Sequence, residues 1–595
     1  MDNLKNKNKD AIPYDTIKGI RETLHNVGIE IYEHVWSDVS SKCFSVRVEI
    51  DGFPDVGTNG KGTTRLFALA SAYGELMERL QNKKLLNKSF GLKYSDESFP
   101  DEKYGNLKLF SEDHQEIIKY LVDDYENNKF FELFKVYPKL SNFSVFYNVF
   151  EKKNQLLPSV LINMACGTNG MCAGNSQYEA LCHGICEIME RYVSKQILYH
   201  QLTLPEIPIE DIKDTKIIDI IDMLKKAGLE VIIKDCTLGG VYPVLGILLL
   251  NKSRTRYQFR LGSESILAIA LERCLTEIFQ GRNLQLFINN SMLPIEYNFL
   301  NDKKNLRDNL TKISKNGTGQ FPVTIFYNES TSSIYKNAFL DGIENNEQGY
   351  EHLIKLLYQN NFKLYIRNLS FLGFPTYKIY IPGMSEVFIN DIKKIEKRIK
   401  VNHIANYLLN IETCNKEELE FLLAELEAYC NQNQSNFYLD NSPYFKSANL
   451  HLKKMNDFGK IDMRLIVTLL AYILNKDKTA VKYFTLYMKT LPDKDYANLN
   501  YYRCIMAYLQ LKVANRNDKK IFIKLVQLFP ESLASEIICD FKERSTKLFS
   551  NMPLPSCPNC TKCKIAKSCL WEEWEKKNII LNDRLKFFTK YHIIQ

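Results

Sequence analysis

Apolar positions recur along the chain up to about residue 390 with two different periods. The alternating or continuous runs Cys43-Phe-Ser-Val-Arg-Val-Glu-Ile50, Val244-Leu-Gly-Ile-Leu-Leu-Leu250 and Lys363-Leu-Tyr-Ile-Arg367 predict strands. Between them, spacings of three and four predict helices at about 67 to 81, 177 to 198 and 267 to 286. Residues 83 to 150 are aromatic and charged without a readable motif, and are expected to form a surface insertion. From about residue 395 the pattern changes to helix pairs, such as Leu465 to Leu474, Ala480 to Met488 and Tyr501 to Val513. The spacing in Ala471-Tyr-Ile-Leu and Ala480-Val-Lys-Tyr-Phe484 resembles tetratricopeptide helices, with an ordinary helical cap as the alternative. The Pro-rich step Met552-Pro-Leu-Pro-Ser556 then leads into a cysteine-dense tail. The expected class is α+β, divided into residues 1–394, a helical 395–550 and a tail 551–595.

Composition narrows the function classes. A chain of 595 residues that is 45% hydrophobic and 25% charged describes a multidomain globular protein and excludes a disordered or fibrous one. Lys and Arg total 78 against 70 Asp and Glu, and a net +8 is too small for a dedicated nucleic-acid binder, so no direct nucleic-acid partner is expected. The opening MDNLKNKNKD has no apolar leader, and the longest apolar stretch, Val241 to Leu250, contains Pro243 and is far short of a membrane span. A cytoplasmic protein without membrane contact is expected. In that compartment its 15 cysteines read as reduced thiols or metal ligands.

The most informative feature is a pattern that occurs three times. Ala68-Leu69, five residues, then Glu75 and Glu78 is echoed by Ala180-Leu181, five residues, then Glu187 and Glu190, and by Ala270-Leu271, five residues, then Glu277 and Gln280. Steps of three and four put Ser71, Glu75 and Glu78 on one helix face, as they do Glu179, His183, Glu187 and Glu190, and Arg273, Glu277 and Gln280. The flanking residues are apolar, and carboxylates on an apolar helix are costly to bury without cations. Mg²⁺, which takes a few carboxylates together with phosphate oxygens and water, is the expected counter-ion. Arg79, Arg191, Arg273 and Arg282 stand beside these acids and suit phosphate contacts. Gly-rich turns, Thr58-Asn-Gly60-Lys-Gly62 and Thr168-Asn-Gly170-Met-Cys-Ala-Gly174-Asn175, precede the first two helices and can offer backbone N–H groups to an anion. They do not match the Walker pattern. A single Glu-x-x-Glu-Arg is ordinarily a solvated helix face; its repetition in one frame, on apolar helices, argues for a site.

At these residues the sequence resembles the YcaO family. Gly60-Lys-Gly62 with Ser71-Ala-Tyr-Gly-Glu75-Leu-Met-Glu78-Arg79, Asn169-Gly-Met-Cys-Ala-Gly-Asn175 with Glu179 and Glu187-Ile-Met-Glu190-Arg191, and Ala270-Leu-Glu-Arg273 with Glu277 and Gln280-Gly-Arg282 look like its three signature helices. Leu238-Gly-Gly240, Tyr242-Pro-Val244, Ile381-Pro-Gly-Met-Ser385 and Asn500-Tyr-Tyr-Arg-Cys504 extend the likeness to about residue 550, toward the subgroup with a C-terminal tetratricopeptide-like domain. The resemblance implies a YcaO-type ATP-binding fold in which glutamates hold Mg²⁺ against the phosphates. Carried over, Glu75, Glu78, Glu187, Glu190 and Glu277 are the metal carboxylates, and Ser71, Glu75, Asn175, Glu179, Arg191 and Arg273 contact the nucleotide. Lys9 and Thr16 look like the family's N-terminal Lys and Ser that also reach ATP, with Thr retaining the hydroxyl.

The resemblance further implies ATP-driven phosphorylation of a backbone amide oxygen once a nucleophile has attacked the carbonyl of a peptide or protein substrate. Relatives make azolines, thioamides or amidines. The tetratricopeptide-bearing subgroup looks like an accessory factor for β-methylthiolation of a small-subunit ribosomal protein, which implies a radical-SAM methylthiotransferase partner and a homodimer. An ATP-switched scaffold that recruits a partner enzyme is the alternative from another class. Azoline-forming members end in a proline-rich C-terminus, whereas this chain ends Tyr591-His-Ile-Ile-Gln595. Where relatives have Gly-Ala-His-Pro it has Gly262-Ser-Glu-Ser265, so no role of that His transfers.

Cys557, Cys560, Cys563 and Cys569 have spacing that can wrap one centre, zinc or an iron–sulfur cluster. Trp571 and Trp574 beyond them are expected to pack the tail. Cys166, Cys172, Cys182 and Cys186 crowd the second signature helix and are expected to be core thiols. His183, a lone His on a signature face, is expected to be structural.

Overall fold

A computed structural model describes the chain from Lys9 to His592 except residues 35, 41–42, 54–55, 87–99, 105–111, 124–131, 133–141, 279–286, 290, 297–302, 317–318, 341–344, 434–436, 449–457, 492–495, 515–516 and 556–559. Two compact units are present. One is built from the chain up to residue 392 together with the segment from Lys577 onward, and the other is centred on Lys393–Lys576.

The first unit holds three antiparallel sheets. β1 (Ile31–Glu33), β2 (Ser37–Ser40), β3 (Cys43–Ile50) and β4 (Gly57–Gly62) form the first, with β4 along one edge of β3 and β1 and β2 in tandem along the other. β5 (Lys103–Tyr104), β6 (Asn142–Asn148), β7 (Lys153–Leu157) and β8 (Met171–Ala173) begin a second sheet. The third has the order β13-β12-β11-β10-β9, from β9 (Glu206–Ile207), β10 (Leu229–Asp235), β11 (Val244–Asn251), β12 (Arg256–Ser263) and β13 (Leu293–Pro294). β14 (Tyr365–Asn368) and β15 (Thr376–Tyr380) complete the second sheet, β14 pairing with β6 and β15 with β8.

The helices that matter for the site are α1 (Pro13–His25), α2 (Arg65–Gln81), α3 (Gln177–His200), α4 (Leu267–Ile278), α5 (Lys303–Asn316) and α6 (Asn346–Gln359). α2 and α3 start alike. Thr64 accepts from the Phe67 N–H and Ser176 from the Glu179 N–H, each satisfying one of the orphan donors of a helix N-terminus. β11 explains its own continuous apolar run, because both of its faces are covered. Leu245, Ile247 and Leu249 pack with Ala270, Leu271 and Cys274 of α4, while Val244, Leu248 and Leu250 pack with the cluster that includes Ile185 and Met189 of α3. Each such side chain contributes about 1.5–3 kcal/mol of apolar burial.

One predicted feature differs from what is found, and one runs beyond the described residues. Residues 142–148, expected within a surface insertion, are strand β6, and Arg367 on the neighbouring β14 is buried against Asp101 at 2.7 Å and Ser144 at 2.7 Å. Its aromatic texture had no clean alternation because Phe143, Ser144 and Phe146 are all buried. The helix expected over 267 to 286 is described as far as Ile278.

The second unit is helical. α7 (Met463–Ile473), α8 (Asp477–Met488) and α9 (Tyr496–Val513) are consecutive helices at the places where helix pairs were expected, and Arg544 grips Asp477 at 2.6 and 3.0 Å. α10 (Trp571–His592), whose residues from Lys577 onward belong to the first unit, buries Trp574, Leu581 and Leu585, spaced seven and four residues apart on one face. Among the described residues no helix is long and apolar enough to cross a membrane.

Candidate functional site

The triplicated pattern works through small residues before it works through charge. A Cβ on Gly60 of β4 would lie 1.9 Å from the Ala68 carbonyl oxygen of α2, and one on Gly262 of β12 would lie 2.4 Å from the Ala270 carbonyl oxygen of α4. Gly174 meets the Ala180 nitrogen of α3 in the same way, at 2.7 Å. Each signature helix therefore lies directly against the glycine that precedes it, and its acids project about two turns further on.

On α2 the row runs from the exposed Ser71 through the half-buried Glu75 to the buried Glu78. Arg79 bridges Glu75 at 3.0 Å and Glu78 at 3.1 Å. On α3, Arg191 pairs with Glu187, one turn earlier. Lys61, on β4 between the two glycines that face α2, pairs with Glu277 of α4. It also feels Glu190, Arg273, Glu75 and Arg260 electrostatically, so all three signature helices meet around it.

Carboxylates outnumber cations here, and it shows. Burial, reinforced by Glu187 and Glu75, pushes the Glu78 carboxyl up to about 8 despite Arg79. Burial and Glu187 push Glu190 up to about 7 against Lys61, Arg191 and Arg273. Burial also lowers Lys61 to about 8, opposed by Glu190. As they lie, no three of the described carboxylates stand close enough to hold one ion together, yet carboxylates whose charged forms are this disfavoured suit a divalent cation such as Mg²⁺, which would restore them.

A second group gathers at the start of α3. Lys9 Nζ lies 2.9 Å from Glu179 Oε1, the Asp10 N–H donates to Oε2 at 2.9 Å, and Asn175 donates to the same carboxylate at 3.0 and 3.1 Å. Thr16, on α1, donates to Asn175 Oδ1 at 2.7 Å. Burial alone would raise Glu179, but Lys9, the Asp10 N–H and Asn175 hold it below the usual carboxylate range. Lys9, Thr16, Asn175 and Glu179, dispersed over 170 residues, thus form one network.

Arg273 has partners of its own. Its Nη2 donates to Glu264 Oε2 at 2.8 Å and its Nη1 lies 2.7 Å from His183 Nδ1. Burial and the nearby Arg273 keep His183 well below its ordinary value, so the imidazole is neutral and Nδ1 accepts. Arg282 and Gln280 lie outside the described residues, as does Cys557. Cys563 and Cys569 are half-buried, and the described residues contain no cluster of three or more metal-ligating side chains. Burial raises the thiols of Cys166, Cys172, Cys182 and Cys186 far above the nucleophilic range.

Residues 59–385 match the family model described as YcaO cyclodehydratase, ATP- and Mg²⁺-binding, which covers more than half of the chain. The chain belongs to the YcaO family. It is 25% identical over 448 residues to the Escherichia coli ribosomal protein S12 methylthiotransferase accessory factor YcaO, covering 70% of this chain and 72% of that protein. It is 28% identical over 399 residues to an uncharacterized Haemophilus influenzae protein, covering 64% of this chain and 66% of that one. Both matches leave a substantial part of the relative's length uncovered. Among solved structures, YcaO from Methanopyrus kandleri bound with AMPPCP and Mg²⁺ is similar at a TM-score of 0.42 and 17% identity, over 63% of this chain and 92% of that one.

Sequence reasoning missed two residues of this candidate site. Lys61 was visible only as a spacer in Gly60-Lys-Gly62, although strand alternation sends it to the face opposite the glycines. Glu264 was noted as a departure from relatives; it is the buried partner of Arg273 and accepts the Ser265 N–H at 3.0 Å.

Proposed function

We propose that this YcaO chain binds ATP with Mg²⁺ between α2, α3 and α4 and uses it to activate a backbone amide of a peptide or protein. The observation that carries this is the convergence of Glu75, Glu78, Glu187, Glu190 and Glu277 with Lys61, Arg79, Arg191 and Arg273. When bound, Mg²⁺ neutralises phosphate charge. Glu75, Glu78, Glu187, Glu190 and Glu277 would hold it. Lys61, Arg79 and Arg191 would turn from their glutamates to phosphate oxygens, while Arg273, fixed by Glu264, would keep a constant position. Lys9, Thr16, Asn175 and Glu179 would hold the rest of the nucleotide at the start of α3, with Ser71 at the exposed end of the row on α2. A nucleophile adds to the amide carbon, the carbonyl oxygen takes the γ-phosphoryl group as its bond to ADP breaks, and phosphate then leaves with that oxygen.

A second reading is favoured by the likeness to the E. coli accessory factor, which runs over a stretch longer than the matched family domain. In it the same ATP site serves methylthiolation of a ribosomal protein in the cytoplasm, and the tetratricopeptide-like helices α7 to α9 recruit a radical-SAM methylthiotransferase. Calorimetry with ATP and Mg²⁺ tests what both share: saturable binding is expected, and none at millimolar nucleotide sinks both. A Glu75→Gln, Glu190→Gln double variant then separates catalysis from scaffolding. Loss of the modified product with partner capture retained supports an ATP-consuming step, and retention of both supports a scaffold.

A further inference from the structure

Among the described residues two lysines are buried, and the fold treats them differently. Lys234, on β10, has Glu206 3.1 Å from its Nζ. Lys378, on β15, is 4% exposed, and no carboxylate among the described residues lies within ion-pair distance of it. Its Nζ donates to the carbonyls of Asn169 at 2.9 Å and Gly167 at 3.3 Å. A buried ammonium is costly unless an anion compensates it. Lys234 has that compensation at contact distance and Lys378 does not.

What lies beside Lys378 is the carboxylate cluster. Lys378 stands opposite Met171 of β8 in the antiparallel register, and residues so paired share a face of the sheet. On that face the Met171 sulfur lies 3.7 Å from Arg79 Nη1, part of the guanidinium that bridges Glu75 and Glu78. The two carbonyls that Lys378 holds belong to the Gly-rich turn leading through β8 to Asn175. This turn is pressed against β15: a Cβ on Gly170, where φ is +81°, would lie 2.2 Å from the Ile379 oxygen. Burial lowers the Lys378 ammonium to about 8. The titratable and charged groups that face it are Cys166, Lys84, Glu187 and Glu78, with Cys172 of β8. Burial keeps both thiols protonated, so Glu187 and Glu78 are the anions of this group.

We propose that Lys378 is a positioning residue of the nucleotide site, holding the turn before β8 and setting a buried positive charge behind Glu78 and Glu187. The assignment rests on the nucleotide reading of that site. Mg·ATP brings net negative charge to a cluster already rich in carboxylates, so a cation fixed nearby strengthens its binding. Calorimetry with Mg·ATP at pH 7 and pH 9.5 tests this. Lys378→Gln keeps N–H donors for the two carbonyls and drops the charge. It is expected to bind about tenfold more weakly than the wild type at pH 7, and within about twofold of it at pH 9.5, where the wild-type lysine is itself discharged. A role in holding the turn alone would leave the ratio the same at both pH values. Lys378→Arg carries its charge throughout. It is expected to match the wild type at pH 7 and to bind at least about threefold more tightly at pH 9.5, and it decides the matter where a thermal melt shows the Gln variant misfolded. Equal affinities of wild type and Lys378→Gln at pH 7, a ratio that pH does not change, or an Arg variant that follows the wild type at both pH values would overturn the proposal. Absence of Mg·ATP binding by the wild type would sink the nucleotide reading and this inference with it, whereas tight wild-type binding that the variants leave unchanged would sink the role of Lys378 alone.

Discussion

Arg273 Nη2 meets the buried Glu264 Oε2 at 2.8 Å in a part-buried pair, and this fixes the guanidinium that also reaches His183. Glu264 is not itself a proposed nucleotide contact, so its effect passes through Arg273. Hydrogen bonds to charged groups are worth about 1.5–3 kcal/mol. Glu264→Gln is expected to weaken Mg·ATP binding about tenfold, with Glu264→Asp recovering part of the loss. Calorimetry reads the affinity and a thermal melt checks the fold; unchanged affinity in the Gln variant would end this positioning role.

Gly60 lets α2 lie on β4. A methyl there meets backbone atoms, the Ala68 oxygen at 1.9 Å and the Ala72 nitrogen at 2.4 Å, which cannot swing aside as a side chain would. Gly60→Ala is expected to cost about 1–3 kcal/mol or more through overpacking. Gly74, on the same helix, has nothing within 4 Å of its would-be Cβ. Gly74→Ala is therefore expected to be neutral or stabilising by up to about 1 kcal/mol. Denaturant unfolding compares the two; equal stabilities would show that the close approach is not what holds α2.

These two cases mark what the sequence disclosed. The helix faces of Ser71, Glu75 and Glu78, and of Glu179, Glu187 and Glu190, follow from steps of three and four alone, and the family resemblance named their nucleotide chemistry. The strand β11 was legible because its apolar run has no interruption other than Gly246, whose Cβ would strike the Phe259 ring at 2.6 Å. Glu264 was not legible, because only the fold brings it to Arg273 and only burial makes the pair matter. β6 was not legible either, since Ser144 and Asn148 are buried polar positions satisfied by Glu102 and Gln155 and so break the alternation that marks a strand.

The Lys9–Glu179 pair predicts a pH dependence. Glu179 titrates below its ordinary value of 4.5, because Lys9, the Asp10 N–H and Asn175 outweigh burial. A carboxylate depressed in the folded state contributes stability that is fully present above its unfolded value and lost as pH falls through the folded one. The stability difference between wild type and Glu179→Gln is expected to be about 1–3 kcal/mol, constant from pH 7 to about 5, and to shrink below about 4.5. Unfolding titrations at several pH values measure it. A difference that stays flat, or grows as pH falls, would show that Glu179 is not held as an anion.

The thiols around α3 bear on where a nucleophile comes from. Cys166, Cys172, Cys182 and Cys186 are buried, and burial holds each thiol protonated; Cys172 is further disfavoured as a thiolate by Glu78 and Glu187, and Cys186 by Glu264. Attack needs the thiolate and access to it. Cys539 is exposed. Brief iodoacetamide treatment of the native protein at pH 8, read by peptide mass spectrometry, is expected to alkylate Cys539 and to leave these four at least about a hundredfold slower, with all of them reacting after denaturation. Native labelling of Cys172 or Cys186 at a rate near that of Cys539 would restore them as candidate nucleophiles. With the expected pattern, the atom that adds to the amide carbon is supplied by the substrate or a partner and not by these core cysteines.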